Sequence, residues 1–254
     1  MRYSHSKLDV IRQCLKKYHF KYVIRLDVDE DQEYLFFGNL CHDVAEHYRG
    51  EGKKQLLKLV KKFHKKYPFK MEDFKQRLKL ALKNIHSFWK NNLDGANWEP
   101  EQEISINFSE DVSVNGKVDV IIWGEDGRVR IIDYKTNKSK KFSDHTNQLS
   151  MYMYLVHHKY GIPYDKMDCE IVYLSLLPNE KDGTEVLNEG YEHINKQYQL
   201  DETDVAVLME EIEAIDHRIH RAEKNEKWTA KPTWFNCTFC PFSEHCDEKF
   251  INDK

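Results

Sequence analysis

The 254-residue sequence predicts an α/β fold, a central mixed sheet flanked by helices, with a helical insertion near the N-terminus. Three observations carry this. Residues 116–138 read as two apolar strands joined by the tight turn Gly124-Glu125-Asp126-Gly127. A helical stretch at about 144–160 then precedes the strand-like run Ile171, Val172, Tyr173, Leu174, Ser175, Leu176. Ahead of residue 93, by contrast, the apolar residues recur at helical spacing.

In chain order, residues 6–22 predict a helix carrying Leu8, Ile11, Cys14, Leu15 and Tyr18 on one side. A second helix follows Gly38 over 39–49. Residues 53–66 form an amphipathic segment, with Leu56, Leu57, Val60 and Phe63 opposite lysines, ended by Pro68. Phe74, Leu78, Leu82, Ile85 and Phe88 mark a helix over 71–92. Strands are expected near 101–108, 112–123 and 128–135, and a weaker one near 190–198. The helix at 144–160 ends at Gly161 and Pro163. A long helix at 202–224 carries Leu208, Ile212, Ile215 and Ile219. No Pro/Gly/Ser linker divides the chain, so one domain is expected over 1–254, with its insertion at about 39–93 and its core at about 99–200.

Composition excludes several classes. Apolar residues are 40% and charged residues 32%, and no stretch approaches the ~18 apolar residues of a membrane span. The start, MRYSHSKLDV, lacks the apolar segment of an export signal, so a reducing, cytoplasmic setting is expected. Net charge is −4, but residues 53–70 hold eight lysines and no acid, whereas 201–216 is acidic. Of six cysteines, Cys237, Cys240 and Cys246 form a C-x2-C-x5-C cluster of the kind that holds metal.

The candidate chemistry sits in the hairpin. Val118, Val120, Ile121, Ile122, Val129, Ile131 and Ile132 make its strands apolar on both faces, as in a covered sheet. Each strand nevertheless carries an aspartate, Asp119 and Asp133, which the turn sets opposite each other to within about one residue. Facing like charges are destabilising, and a buried charge needs a partner or a metal. Lys135 lies two residues beyond Asp133 and shares its face. Gln148 and Tyr152, at i and i+4, share one face of the next helix. His42 and Glu46 do the same on the helix after Gly38. Taken singly, each of these is more often a solvated or packing residue than a functional one.

Taken in order, they are specific. Gly38-x-x-x-His42, then Asp119, then Asp133-Tyr134-Lys135, then Gln148-x-x-x-Tyr152 resembles the RecB-type nucleases of the PD-(D/E)XK superfamily. The cysteines extend the resemblance toward the iron–sulfur subgroup, which includes CRISPR-associated and AddB-type exonucleases. That resemblance implies a restriction-endonuclease-like core with a C-terminal iron–sulfur element. It makes Cys14, Cys237, Cys240 and Cys246 ligands of a 4Fe-4S cluster that staples the chain ends. On the residues alone, zinc remains an alternative, with Cys14 or His245 as fourth ligand. Cys41 is a rival for Cys14, and Cys169 reads as a buried apolar thiol.

The resemblance further implies that Mg2+ or Mn2+ is held by His42, Asp119, Asp133 and the Tyr134 carbonyl. Asp119, Asp133, Lys135, Gln148 and Tyr152 would be the catalytic set, with Glu46 and Glu103 in reserve. It implies a DNA exonuclease acting on single-stranded ends, either alone or with a helicase or a recombination or CRISPR protein as partner. A structure-specific endonuclease and a non-catalytic DNA-end-binding module are the alternatives. Lys138, Lys140 and Lys141, beside the active strand, and Lys58 and Lys62 on the lysine-rich helix are candidate DNA contacts. Tyr18, Trp89, Trp98 and Trp234 are candidate base-stacking residues, though core packing is the commoner role.

Overall fold

The computed structural model describes residues 1–28, 32–136, 145–175 and 195–250. The chain divides into two compact units, the first formed by Met1–Asp31, Ser105–Gly116 and Ala206–Lys254, the second by Gln32–Ile104 and Lys117–Val205.

In the first unit, β1 (Arg2–Tyr3) runs parallel to the start of β3 (Ser113–Trp123), pairing Arg2 with Ser113 and Tyr3 with Val114. The helix expected over 6–22 is broken. α1 (His5–Gln13) stops at Cys14, whose backbone is extended at φ −167° and ψ 121°. α2 (Leu15–Tyr18) restarts at once and passes into a π-helical turn, His19–Val23. Ser4 caps α1 by accepting a hydrogen bond from the Lys7 amide. The apolar stripe of α7 (Glu202–Lys224) reads as expected, with Leu208, Ile212, Ile215 and Ile219 buried. Three contacts tie α7 to the N-terminal strand and helix. Tyr3 donates its hydroxyl to Asp216 at 2.7 Å. Arg12 forks onto both Glu211 oxygens at 2.8 and 2.7 Å, and Arg218 donates to the Ile11 carbonyl at 3.2 Å. A short helix, α8 (Trp234–Thr238), opens the cysteine-bearing tail.

The second unit packs helices onto the functional sheet. α3 (Glu33–His47) begins before Gly38 rather than after it, and α4 spans Lys53–His64. α5 (Met71–Phe88) gives way to a π-helical turn at Trp89–Leu93. Leu56, Val60 and Phe63 of α4, and Phe74, Leu78, Ile85 and Phe88 of α5, join Phe37, Leu40 and Val44 of α3 in one core with Val120, Ile132 and Tyr134 of the sheet. Each such burial contributes about 1.5–3 kcal/mol. Trp89 packs against the backbone of Gly50, whose φ of +79° and close approach suit a residue without a Cβ. Trp89 and Trp98 therefore serve packing, Trp98 lying under the Arg49 guanidinium at 5.0 Å.

β2 spans Asn97–Asn107, longer at its start than expected, and pairs with β3. β3 is antiparallel to β4 (Val129–Lys135), with Val120 opposite Ile132 and Trp123 opposite Val129. The turn between them is closed by the Gly124 amide on the Arg128 carbonyl at 2.8 Å, with Gly127 at φ +77°. β4 runs parallel to β5 (Met167–Tyr173), and α6 (Thr146–Tyr160) is the crossover helix such a pair requires. Gly161 ends α6 in the left-handed conformation.

β5 starts earlier and ends earlier than the apolar run 171–176 implies. Its first half holds Asp168 and Glu170, which pair with Arg128 just before β4 at 2.8 Å and with Arg130 of β4 at 2.8 Å. At its far end, Leu174 and Ser175 turn away. Asn84 takes the Leu174 carbonyl and Ser175 donates to the Thr136 carbonyl. β6 (Asn195–Tyr198) completes the strands, antiparallel to β5, and is the described part of the weak strand expected over 190–198. Among the described residues no helix is long and apolar enough to cross a membrane.

Candidate active site

The strands that position the site are apolar on both faces. Val118, Val120, Ile121, Val129, Ile131 and Ile132 are all buried, so the two aspartates between them are too. One step beyond the Val120–Ile132 pair, the next positions on the two strands are Asp119 and Asp133. Each aspartate is held differently. Asp119 accepts the Tyr134 amide on Oδ2 at 2.6 Å and faces His42 Nδ1 through Oδ1 at 3.2 Å. Asp133 accepts Gln148 Nε2 at 2.7 Å and the Tyr152 hydroxyl at 3.3 Å on one oxygen. Its other oxygen lies 2.6 Å from the Lys135 ammonium but accepts no well-directed hydrogen bond. Gln148 also accepts from Lys135 at 2.8 Å, and its amide nitrogen lies 2.8 Å from the Tyr152 hydroxyl. Asp133, Lys135, Gln148 and Tyr152 thus form one network, which the spacings i, i+2 and i, i+4 foreshadow.

The two carboxyls titrate in opposite directions. Burial pushes Asp119 up, but the charge and hydrogen bond of His42, with the Tyr134 amide, outweigh it and hold it below the usual carboxylate range. Burial pushes Asp133 up as well, and Lys135 only partly offsets burial and the neighbouring Asp119 charge, so it stays raised. Burial lowers His42, but Asp119 reverses the effect and raises it. The Tyr152 phenol is driven well above its ordinary value by burial and the two aspartates, so it remains a proton donor.

Helix α3 brings His42 to the sheet because Gly38, one turn earlier, allows close approach. A Cβ at Gly38 would sit 3.3 Å from the Thr136 side chain. Glu46, a further turn along, lies 3.6 Å from His47 and is not grouped with the metal-binding atoms. Instead, one donor atom each from His42, Asp119 and Glu101 falls within 4.8 Å of the others. These three line a cleft of about 420 Å3 with Gly38, Lys117 and Thr136. Glu101 replaces Glu103 as the acid from the preceding strand. Glu101 has φ +51°, which breaks the alternation of β2 and separates it from the exposed Glu103. Only the unusual Pro100-Glu101 step inside an otherwise strand-like run hints at this.

The donor set fits a hard divalent cation, with one imidazole and carboxylates bearing oxygens that lack directed donors. Arg77 is a further residue that sequence reasoning missed. It is buried on the apolar stripe of α5, donates to the Thr136 carbonyl, and reaches Ser175 Oγ at 3.1 Å. It fixes the end of β4 directly beyond Lys135.

In the first unit, Cys14, Cys237, Cys240 and Cys246 line one small cavity, with Lys16, Lys17 and Phe20. Cys41 and Cys169 are buried thiols of the second unit, each raised by burial. Lys58 and Lys62 are exposed on α4, whereas Lys138, Lys140 and Lys141 fall outside the described residues. Tyr18 is buried and Trp234 is exposed.

The sequence matches the PD-(D/E)XK nuclease superfamily over residues 2–247, and the chain belongs to that superfamily. It is therefore a divalent-metal-dependent nuclease, a phosphodiester hydrolase acting on DNA, whose relatives use ions such as Mg2+ or Mn2+. Among solved structures, the chain is similar to the one titled "Crystal structure of SSO0001", at 16% identity and a TM-score of 0.43. That match covers 98% of this chain and 87% of the other. No curated protein matches the sequence significantly.

Proposed function

We propose that the chain is a RecB-type exonuclease that hydrolyses single-stranded DNA ends and carries an iron–sulfur cluster in its first unit. The observation that carries the nuclease chemistry is the buried network joining Asp133, Lys135, Gln148 and Tyr152, beside His42 and Asp119. His42, Asp119, Asp133 and the Tyr134 carbonyl are assigned to a divalent ion, with Glu101 within reach. When bound, that ion supplies Lewis acidity toward the phosphate and lowers the pKa of water. Lys135, oriented by Gln148, offsets negative charge developing on the scissile phosphate. Gln148 and the Tyr152 hydroxyl fix the Asp133 carboxylate, and the surrounding apolar strands exclude bulk water from it.

The four cysteines around one small cavity support a metal centre there, and the choice of an iron–sulfur cluster over zinc rests on the resemblance. Burial raises the Cys240 and Cys246 thiols, so a metal binding there would have to displace their protons. Backbone amides of Phe242, Glu248 and Phe250 face Cys240, Cys246 and Cys237, the last at 3.3 Å, as suits anionic sulfur. The exonuclease preference, the single-stranded ends, a helicase or recombination or CRISPR partner and a cytoplasmic setting rest on the resemblance to cluster-bearing nucleases.

The test is end-labelled DNA with Mn2+ or Mg2+, comparing the wild type with Asp133→Ala and Lys135→Ala. Mononucleotides from one end, lost in both variants, are expected. Internal fragments would establish an endonuclease instead, and intact DNA would sink the enzymatic reading. Anaerobically purified protein should absorb near ~400 nm, and Cys240→Ala should not.

A further inference from the structure

We propose that Lys117 is a tethered counter-cation that occupies Glu101 until a divalent ion arrives and is then released to bind the DNA phosphate. The inference rests on the metal-dependent reading above.

Glu101 is an unusual strand residue. Its left-handed backbone turns the side chain out of the alternation of β2, and its carboxylate is only 8% exposed. A carboxylate so enclosed needs a positive partner. Lys117 supplies one by ion pairing from a side chain that is half-exposed, so another cation can compete for the same carboxylate. The Glu101 carboxylate also lies within 4.8 Å of donor atoms on His42 and Asp119. Lys117 is two residues before Asp119 on β3, so both project to the same face. Lys117 and Glu101 both line the cleft that holds His42 and Asp119.

One carboxylate cannot serve an ammonium and a divalent ion at full strength, because the two cations repel. A metal that takes Glu101 therefore frees Lys117. Its side chain is 50% exposed and lines the same cleft, so it would be free to meet a phosphate held there. Metal and DNA then favour each other through one residue, and that coupling is reciprocal.

The proposal fixes the sign of two measurements. Mn2+ binding, followed by electron paramagnetic resonance without DNA, should tighten by about tenfold in Lys117→Met, a size usual for coupled sites. The same variant should bind a single-stranded oligonucleotide less tightly in the presence of Ca2+. Lys117→Arg should restore both values toward wild type. In a Glu101→Gln background, Lys117→Met should no longer tighten Mn2+ binding, because the competition passes through that carboxylate. Weaker or unchanged Mn2+ binding in Lys117→Met would overturn the proposal, as would tightening that persists in Glu101→Gln. Asp119→Asn separates the two readings. If the wild type binds Mn2+ no better than Asp119→Asn, the metal site itself is wrong. If it binds better but Lys117→Met has no effect, only the counter-cation role fails.

Discussion

Gln148→Leu is the most informative single change, because one buried amide serves the acid, the lysine and the phenol. Leucine fills a similar volume but deletes the bond donated to Asp133 at 2.7 Å, the bond accepted from Lys135 at 2.8 Å, and the contact with Tyr152 at 2.8 Å. Two of these have charged partners and contribute about 1.5–3 kcal/mol each. Part of the loss is recovered, since Lys135 stays 2.6 Å from Asp133 and Tyr152 can still reach the same carboxylate. A net cost of about 2–4 kcal/mol follows. If half of that is felt as misplacement of Lys135 in the transition state, turnover falls by roughly 5- to 30-fold. Urea midpoints and single-turnover cleavage at saturating Mn2+ measure the two effects. Wild-type stability together with wild-type turnover would refute the argument that Gln148 orients this pair. A change confined to KM would make it a DNA contact instead.

Arg77→Met strips the Thr136 carbonyl and Ser175 of a buried donor, so it should lower stability by about 2–3 kcal/mol and disorder the end of β4; urea unfolding and amide exchange at residues 134–136 would detect this. Gly50→Ala forces a Cβ to within 2.3 Å of the Trp89 ring at φ +79°, and should shift tryptophan fluorescence and lower the melting temperature, whereas Gly52→Ala meets no atom within 4 Å and should cost less. Glu211 is held below its ordinary range by its hydrogen bonds to Arg12. Its contribution to stability is present at neutral pH and lost as pH falls through that depressed value, so Glu211→Gln should be less stable than wild type at pH 7 and converge with it in acid titrations.

The site was legible where burial and charge conflict. Asp119 and Asp133 stand out because apolar neighbours surround them, and the Gly124–Gly127 turn sets their register. Gln148 and Tyr152 were legible because a helix repeats its faces every i+4. Glu101 was not, since a regular strand would put Glu101 and Glu103 on one face, and only the backbone at Glu101 separates them. The break at Cys14 was hidden for a different reason. Leu8, Ile11, Leu15 and Tyr18 keep helical spacing through it, so periodicity passes over the one extended residue. Arg77 could have been read as an anomaly, a charge on the stripe between Phe74 and Ala81, but its partners are carbonyl and hydroxyl groups that no side-chain pattern reports.

The first unit is assembled from three separated stretches, the last being residues 206–254, whereas the second ends at Val205. A ribosome makes the chain from its N-terminus, so Asp133, Lys135, Gln148 and Tyr152 are all synthesised before the acids that pair with Tyr3 and Arg12 exist. Tyr3 and Arg12 must wait for Asp216 and Glu211, although β1 can already pair with Ser113 and Val114. Synthesis that stalls after residue 205 would yield a polypeptide with the whole Asp133–Lys135–Gln148–Tyr152 network and none of the cysteine trio.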